Sequence, residues 1–410
     1  MFVHKPLASY WQKKRLDQVF CLNDFEVIAQ RFLPKSIFSY VVSPAETGQS
    51  LRDNYKVFEE IAFVPRVLRN VSARKIHKTL FGQEWSAPFG ISPMGISALS
   101  AYNGDRVLAQ SAQSENIPMV MSGSSLTRLE DVIKVAPNSW FQAYLPPTSD
   151  RIAALVDRVA EAGYQTLVVT VDVAVRGSTE HYERAGFVSP IKPNLSFLWD
   201  GITHPCWSYG VLFKTLLRSG ILHFENGDSD HPIPVISRNA VREFSGRSHL
   251  DWEAIEKIRA QWSGNLVLKG ILHPEDAVRA KNIGADGIIL SNHGGRQLDG
   301  AISPMRVLPA IRSAVGDLPL LIDSGFRRGT DILKALALGA DFVFIGRPFN
   351  YAATIGGEAG VCKAIQILKK ELEMGLGMLG ACDLSQISSE QLSIKEVFFC
   401  KFDNIKNSPK

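Results

Sequence analysis

From about residue 87 the sequence repeats one pattern, a short apolar run followed by a stretch with helical spacing. Eight such runs stand at 89–92, 118–121, 140–143, 166–171, 266–269, 287–290, 320–322 and 342–345. All but one lead promptly into helix-like sequence, as at 151–162, 274–283 and 330–338. Parallel strands need a crossover between them, and helices supply it. Eight near-equal units favour closure into an α/β architecture, a (β/α)8 TIM barrel, over an open doubly wound sheet. The expected layout is an N-terminal helical segment (1–86) packed on a barrel (87–380), then a C-terminal segment and tail (381–410). Residues 175–250, after the fourth strand, are far too long for an ordinary βα loop.

Such barrels do their chemistry at the C-terminal ends of the strands. Here those ends carry Ser92, Ser122, Gln142 with Tyr144, Thr170 with Asp172, Lys269, Ser291 with His293, Asp323, and Gly346 with Arg347. Strands serving only structure would give way to turn residues instead. The recurrence predicts an active site without naming its reaction.

The sixth strand feeds Ser291-Asn292-His293-Gly294-Gly295-Arg296-Gln297-Leu298-Asp299-Gly300. Histidine takes up a proton near neutral pH. Arg296 offers a planar fork of donors suited to a carboxylate, and the glycines let backbone pass close to a ligand. A base beside a carboxylate clamp suits removal of hydrogen next to an acid group; a glycine-rich surface turn is the plain alternative. Lys269, ending its strand, needs an anionic partner if it points into the barrel. Asp323-Ser324-Gly325-Phe326-Arg327 and Gly346-Arg347-Pro348 open loops seven and eight, where barrels often bind phosphate.

The stretch Ser291–Gly300 resembles the signature of the FMN-dependent 2-hydroxy acid dehydrogenase and oxidase family, and further matches run from about Leu33 to Ile387. The resemblance implies FMN as cofactor and oxidation of an L-2-hydroxy acid, lactate- or mandelate-like, to the 2-oxo acid. It assigns catalytic roles to His293, the base, to Asp172, which orients it, and to Tyr144, and substrate contacts to Tyr40, Tyr144 and Arg296. The cofactor positions it implies are Pro93, Met94, Gly95, Ser122, Gln142, Thr170, Lys269, Ser291, Asp323, Gly325, Arg327, Gly346 and Arg347. Within that set Lys269 supports the charge of the reduced ring, and Arg327 and Arg347 hold the phosphate. Taken alone, Tyr40 would read as a packing aromatic, and Ser122 and Thr170 as partners of local backbone. Gly95 is similar to the glycine of several dehydrogenases of the family, and His204-Pro205-Cys206-Trp207 resembles an element of its membrane-associated members; this resemblance implies a quinone or other carrier as electron acceptor. An oxidase using O2 and giving H2O2 is the alternative. Readings of another class are a flavin-binding barrel with isomerase activity and one without efficient turnover.

One position departs from the family pattern. Where an arginine usually follows Gly-x, Thr179 stands in Arg176-Gly177-Ser178-Thr179-Glu180-His181. Arg176, His181 and Arg184 are the candidates to replace it. Losing one charge-assisted contact would weaken carboxylate binding by roughly 1.5–3 kcal/mol, so an unusual or larger substrate is a second outcome.

Inside the insertion, residues 207–218 are apolar, aromatic and basic, suited to a lid over the barrel mouth or to a membrane surface. Residues 225–231 are acidic and turn-rich. The net charge of +4, without a basic block interleaved with aromatics, argues against nucleic acid. Five scattered cysteines without a Cys-x-x-Cys suggest reduced thiols and no zinc framework. His4, His77, His223, His231, His249 and His273 have no metal-like spacing, so no metal is expected. Residues 1–10 hold no signal-peptide core and no run of 18 apolar residues occurs. The expectation is a cytoplasmic protein, peripheral on the inner face of the membrane if the insertion binds lipid. A homo-oligomer follows from the resemblance.

Overall fold

The computed structural model describes residues 9–188, 191, 195–227, 233–235, 248 and 250–395. His4, His231, His249, most of 225–231 and the polar end of the chain (401–410) therefore fall wholly or mainly outside the described residues.

Eight parallel strands form the barrel: β1 (Phe89–Ile91), β2 (Val120–Ser122), β3 (Trp140–Ala143), β4 (Thr166–Thr170), β5 (Asn265–Ile271), β6 (Gly287–Leu290), β7 (Leu320–Ile322) and β8 (Phe342–Ile345). Their order around the sheet is β1-β8-β7-β6-β5-β4-β3-β2, and a parallel bridge from Ile91 to Met119 closes the ring. The helices between them are α1 (Gly104–Ser114), α2 (Leu129–Val135), α3 (Ser149–Glu161), α4 (Trp252–Gln261), α5 (Pro274–Ile283), α6 (Pro304–Val315), α7 (Gly329–Ala337) and α8 (Arg347–Met378). β3, β6, β7 and β8 have the expected limits; the other four shift by one or two residues, most at β2 and at β5, which is longer at both ends.

Side chains alternate across each strand, and this sorts the core into two parts. Leu266, Leu268, Ile288, Leu290, Leu320 and Ile322 face outward into the shell of helices. Val120, Trp140, Val168, Val267, Ile289, Leu321, Phe342 and Phe344 fill the interior. A hairpin of Lys78–Leu80 and Gln83–Trp85 plugs the N-terminal end, with Leu80 and Trp85 packed into that interior layer. Two residues beyond the interior positions, on the same face, come Ser122, Gln142, Thr170, Lys269, Ser291 and Asp323. The barrel is thus apolar at its base and polar at its mouth.

The N-terminal segment is less uniformly helical than expected. It contains helices Tyr10–Leu16, Leu22–Phe32, Lys35–Val42 and Gln49–Glu59, but also strand Ile61–Phe63 and the plug hairpin. Ile61–Phe63 pairs antiparallel with Leu392–Ile394, tying the segment before the barrel to the one after it. The insertion packs Phe187, Trp207, Val211 and Phe224 against Leu33, Ile37, Ile96, Leu99 and Leu126. The Trp207 indole N–H donates to the Leu99 carbonyl at 2.8 Å. The insertion therefore lies over the barrel mouth, while Trp199, Ile202, Tyr209, Phe213 and Leu217 on its other side stay exposed. Among the described residues, no helix is long and apolar enough to cross a membrane.

Candidate active site

The mouth opens into one cavity lined by residues from almost every βα loop and from the N-terminal helices. At its centre is His293. Its Nδ1 lies 3.2 Å from both carboxylate oxygens of Asp172, and its Nε2 lies 3.4 Å from the Tyr144 hydroxyl. Burial alone would raise the Asp172 pKa, but His293 and then Lys269 outweigh it and hold the carboxyl below its usual range. A carboxylate charged in this way fixes the Nδ1–H tautomer and leaves Nε2 as the atom that can accept a proton.

The loop around His293 is tightly determined. His293, Gly294 and Gly295 all have positive φ (57°, 66° and 74°). The His293 amide donates to Ser291 Oγ and the Gly294 amide to Ser324 Oγ. A Cβ on Gly295 would come within 2.6 Å of the Leu51 nitrogen, so only glycine fits there. Asn292 and Asn54 exchange reciprocal side-chain hydrogen bonds of 2.8 Å, and Asn292 Oδ1 also accepts the Gly295 amide. Asn54 went unnoticed in the sequence, as did Gly270. At the bulge in β5 a Cβ on Gly270 would lie 2.6 Å from Asp172 Cγ.

One flank of the cavity carries Lys269, buried, 3.0 Å from Asp323 and 2.8 Å from Ser291 Oγ. Asp323 in turn accepts the hydroxyls of Ser92 and Ser324. The anion that Lys269 requires is thus supplied within the protein. Pro93, Met94, Gly95, Thr170, Gly325 and Gly346 line the cavity, whereas Ser122, Gln142 and Ser291 sit in the layer behind it. Gln142 uses its Oε1 on Ser122 and Gly123, and its Nε2 has no partner among the described residues; nor has Thr170 Oγ1. Buried polar atoms are normally paired, so these two fit the polar edge of a bound ring.

At the end beside α7 and α8, Arg327 and Arg347 face the cavity. Arg347 donates to the carbonyls of Val41 and Gly294 but has no ion pair among the described residues. Burial, and then Arg296, lower its pKa. A buried cation without a counter-ion is costly, so this end is built for an anion such as a phosphate. The donor set therefore fits FMN at both its ring and its phosphate.

The substrate side holds Tyr40, Tyr144 and Arg296. Arg296 is less free than expected: it bonds the carbonyls of Tyr40, Val41 and Ser43, leaving two of its five N–H groups for a ligand. Its guanidinium also lies 5.2 Å from the Tyr40 ring centroid. Tyr182 lines the cavity and packs edge-on to Tyr40 at 5.6 Å, with Phe187 behind at 4.6 Å from Tyr40. Thr179 does not line it; its hydroxyl bonds Glu183 at 2.5 Å. Of its three proposed replacements only Arg176 reaches the cavity.

Residues 29–394 match the family model for FMN-dependent dehydrogenase. The chain is 36% identical over 378 residues to an L-lactate dehydrogenase of Ectopseudomonas mendocina (strain ymp), covering 91% of this chain and 98% of that protein. The crystal structure of the monotopic membrane protein (S)-mandelate dehydrogenase superposes with a TM-score of 0.83 at 34% identity, covering 92% of this chain and 100% of that one. A mandelate oxidase with benzoyl-formic acid follows at 0.76 and 30%, covering 92% and 98%.

Proposed function

Because the chain belongs to the FMN-dependent dehydrogenase family, we propose that it oxidises an L-2-hydroxy acid to the 2-oxo acid and passes the electrons to a quinone or other carrier. The observation that carries this reading is the His293–Asp172 pair facing a cavity with Arg296 on one side and the uncompensated Arg347 on another. Gln142, Thr170, Lys269, Arg327 and Arg347 would hold FMN, which supplies a two-electron acceptor for the reaction. Arg296, Tyr40 and Tyr144 orient the acid. His293 Nε2 receives the proton, and Asp172 stabilises the resulting imidazolium.

The aromatic wall of Tyr40 and Tyr182, backed by Phe187, favours an acid with an apolar side chain larger than a methyl group. The exposed apolar side of the insertion supports peripheral membrane binding at the inner face, near a lipid-soluble acceptor. Homo-oligomeric assembly belongs to the same reading.

Anaerobic mixing with lactate, glycolate and mandelate tests it, following the flavin absorbance near about 450 nm. Bleaching is expected, fastest with mandelate. A yellow protein that no 2-hydroxy acid bleaches would overturn the reaction, and rapid recovery of colour in air would overturn the carrier as acceptor.

A further inference from the structure

Helix Lys35–Val42 carries Tyr40, and its C-terminal end meets both arginines of the substrate and phosphate sides. The carbonyls of Tyr40, Val41 and Ser43 accept from Arg296 at 2.8, 3.1 and 2.9 Å. The Val41 carbonyl also accepts Arg347 Nε at 3.0 Å. These carbonyls form the negative pole of the helix, and they hold together two cations that repel one another. Where this one short helix sits therefore decides where Tyr40 and Arg296 stand.

Its other end has no cap of its own. Pro34 occupies the N-cap position without a side-chain acceptor, and the first turn holds no acid. The helix even begins with Lys35, the unfavourable charge for a positive pole. The acid comes instead from the insertion. Asp200, on helix Leu195–Thr203, accepts the Ser36 amide at 3.1 Å and the Ser36 hydroxyl at 2.9 Å, both through Oδ2. Ser36 is buried, whereas Trp199 and Ile202 on either side of Asp200 are 66% and 70% exposed. Asp200 thus joins the outward apolar face of the insertion to the helix that carries Tyr40.

We propose that Asp200 is a positioning residue for the substrate. It fixes helix Lys35–Val42 from its N-terminal end, so that Tyr40 and the carbonyls aiming Arg296 are in place before the acid binds. This rests on the 2-hydroxy acid reading above. Substrate affinity then depends on the insertion through a residue that does not line the cavity. Ile37 and Val41 keep the helix anchored whatever stands at position 200, since both are buried in the core. Removing the carboxylate loosens one end of the helix and leaves it folded.

The test uses the FMN-loaded protein and oxalate, a carboxylate ligand read by perturbation of the flavin spectrum, beside turnover of mandelate. In Asp200→Ala, oxalate affinity should fall and KM for mandelate should rise by about 3- to 10-fold, the factor carried by a typical lost helix cap. Flavin reduction at saturating mandelate should stay within about 2-fold, because the lost interaction affects binding and not the His293–Asp172 pair. Asp200→Asn keeps an acceptor oxygen without the charge and should recover part of the affinity. Ser36→Ala should cost less alone and nothing further when combined with Asp200→Ala, as two halves of one contact must. Unchanged oxalate affinity in Asp200→Ala, additive losses in the double variant, or loss of bound FMN in step with oxalate affinity would overturn the proposal. If the unaltered protein oxidises no 2-hydroxy acid, the functional reading fails, yet the oxalate titration still reports on Asp200.

Discussion

His293 holds a left-handed backbone conformation that a non-glycine residue adopts only when its surroundings enforce it. What enforces it here is specific: Ser291 and Ser324 on the amides, Asn292 on Gly295, and Asp172 on the ring. The ring orientation is set by the charge on Asp172, because a neutral amide can present its N–H to Nδ1 and select the wrong tautomer. Asp172→Asn should therefore lower the rate of flavin reduction by about 10²–10⁴-fold while leaving bound FMN unchanged, as measured by stopped flow and by the protein-to-flavin ratio. The polar residues of the mouth were legible in the sequence for a physical reason. With a period of two, Val168 and Thr170, Val267 and Lys269, and Leu321 and Asp323 must share a face, so the apolar core predicts where the polar ring begins. Asn54 was not legible. Its partner Asn292 is 238 residues away, and no local pattern distinguishes a buried asparagine from a surface one.

Elements outside the barrel hold the site in place. Helix Gln49–Glu59 carries Asn54 and ends beside Glu60, and it is bound to α6 through Arg306. That guanidinium lies 2.7 Å from both Asp53 and Glu60, each pair largely withdrawn from solvent. The hydrogen bond from Arg306 holds the Glu60 pKa below the usual carboxylate range. A carboxyl depressed on folding contributes stability above its unfolded pKa and loses it as pH falls through the lower, folded value. Arg306→Met should thus cost about 1.5–3 kcal/mol near neutral pH, the range for hydrogen bonds to charged groups. The difference in thermal midpoint from the unaltered protein should shrink under acid conditions where Glu60 is protonated in both states. A constant difference from neutral to acid pH would argue against the ion pairs as the cause. The strands and most barrel helices were readable because each repeats one apolar pattern. The pairing of Ile61–Phe63 with Leu392–Ile394 joins segments too short to announce themselves and separated by the whole barrel.

At the scale of the whole molecule, the insertion has two faces that differ in exposure. Trp207, Val211 and Thr215 turn inward onto the barrel mouth, while Tyr209, Phe213 and Leu217 alternate with them and face outward. The sequence presented a lid and a membrane surface as alternatives for one amphipathic stretch; the fold accommodates both on opposite sides of the same helices. Trp199, Ile202 and Ile221 enlarge the outward apolar set. A soluble surface gains nothing from so many exposed large side chains, whereas a lipid interface takes them up at about 25 cal/mol per Å² buried. Changing Tyr209, Phe213 and Leu217 together to serine should reduce co-sedimentation with anionic phospholipid vesicles by at least about 10-fold, in line with roughly 1.5–3 kcal/mol for each buried large side chain. Flavin reduction by the hydroxy acid should persist, since the inward face and the cavity lining are untouched. Loss of reduction together with loss of binding would mean instead that the outer face supports the lid, and undiminished vesicle binding would remove the insertion as the contact.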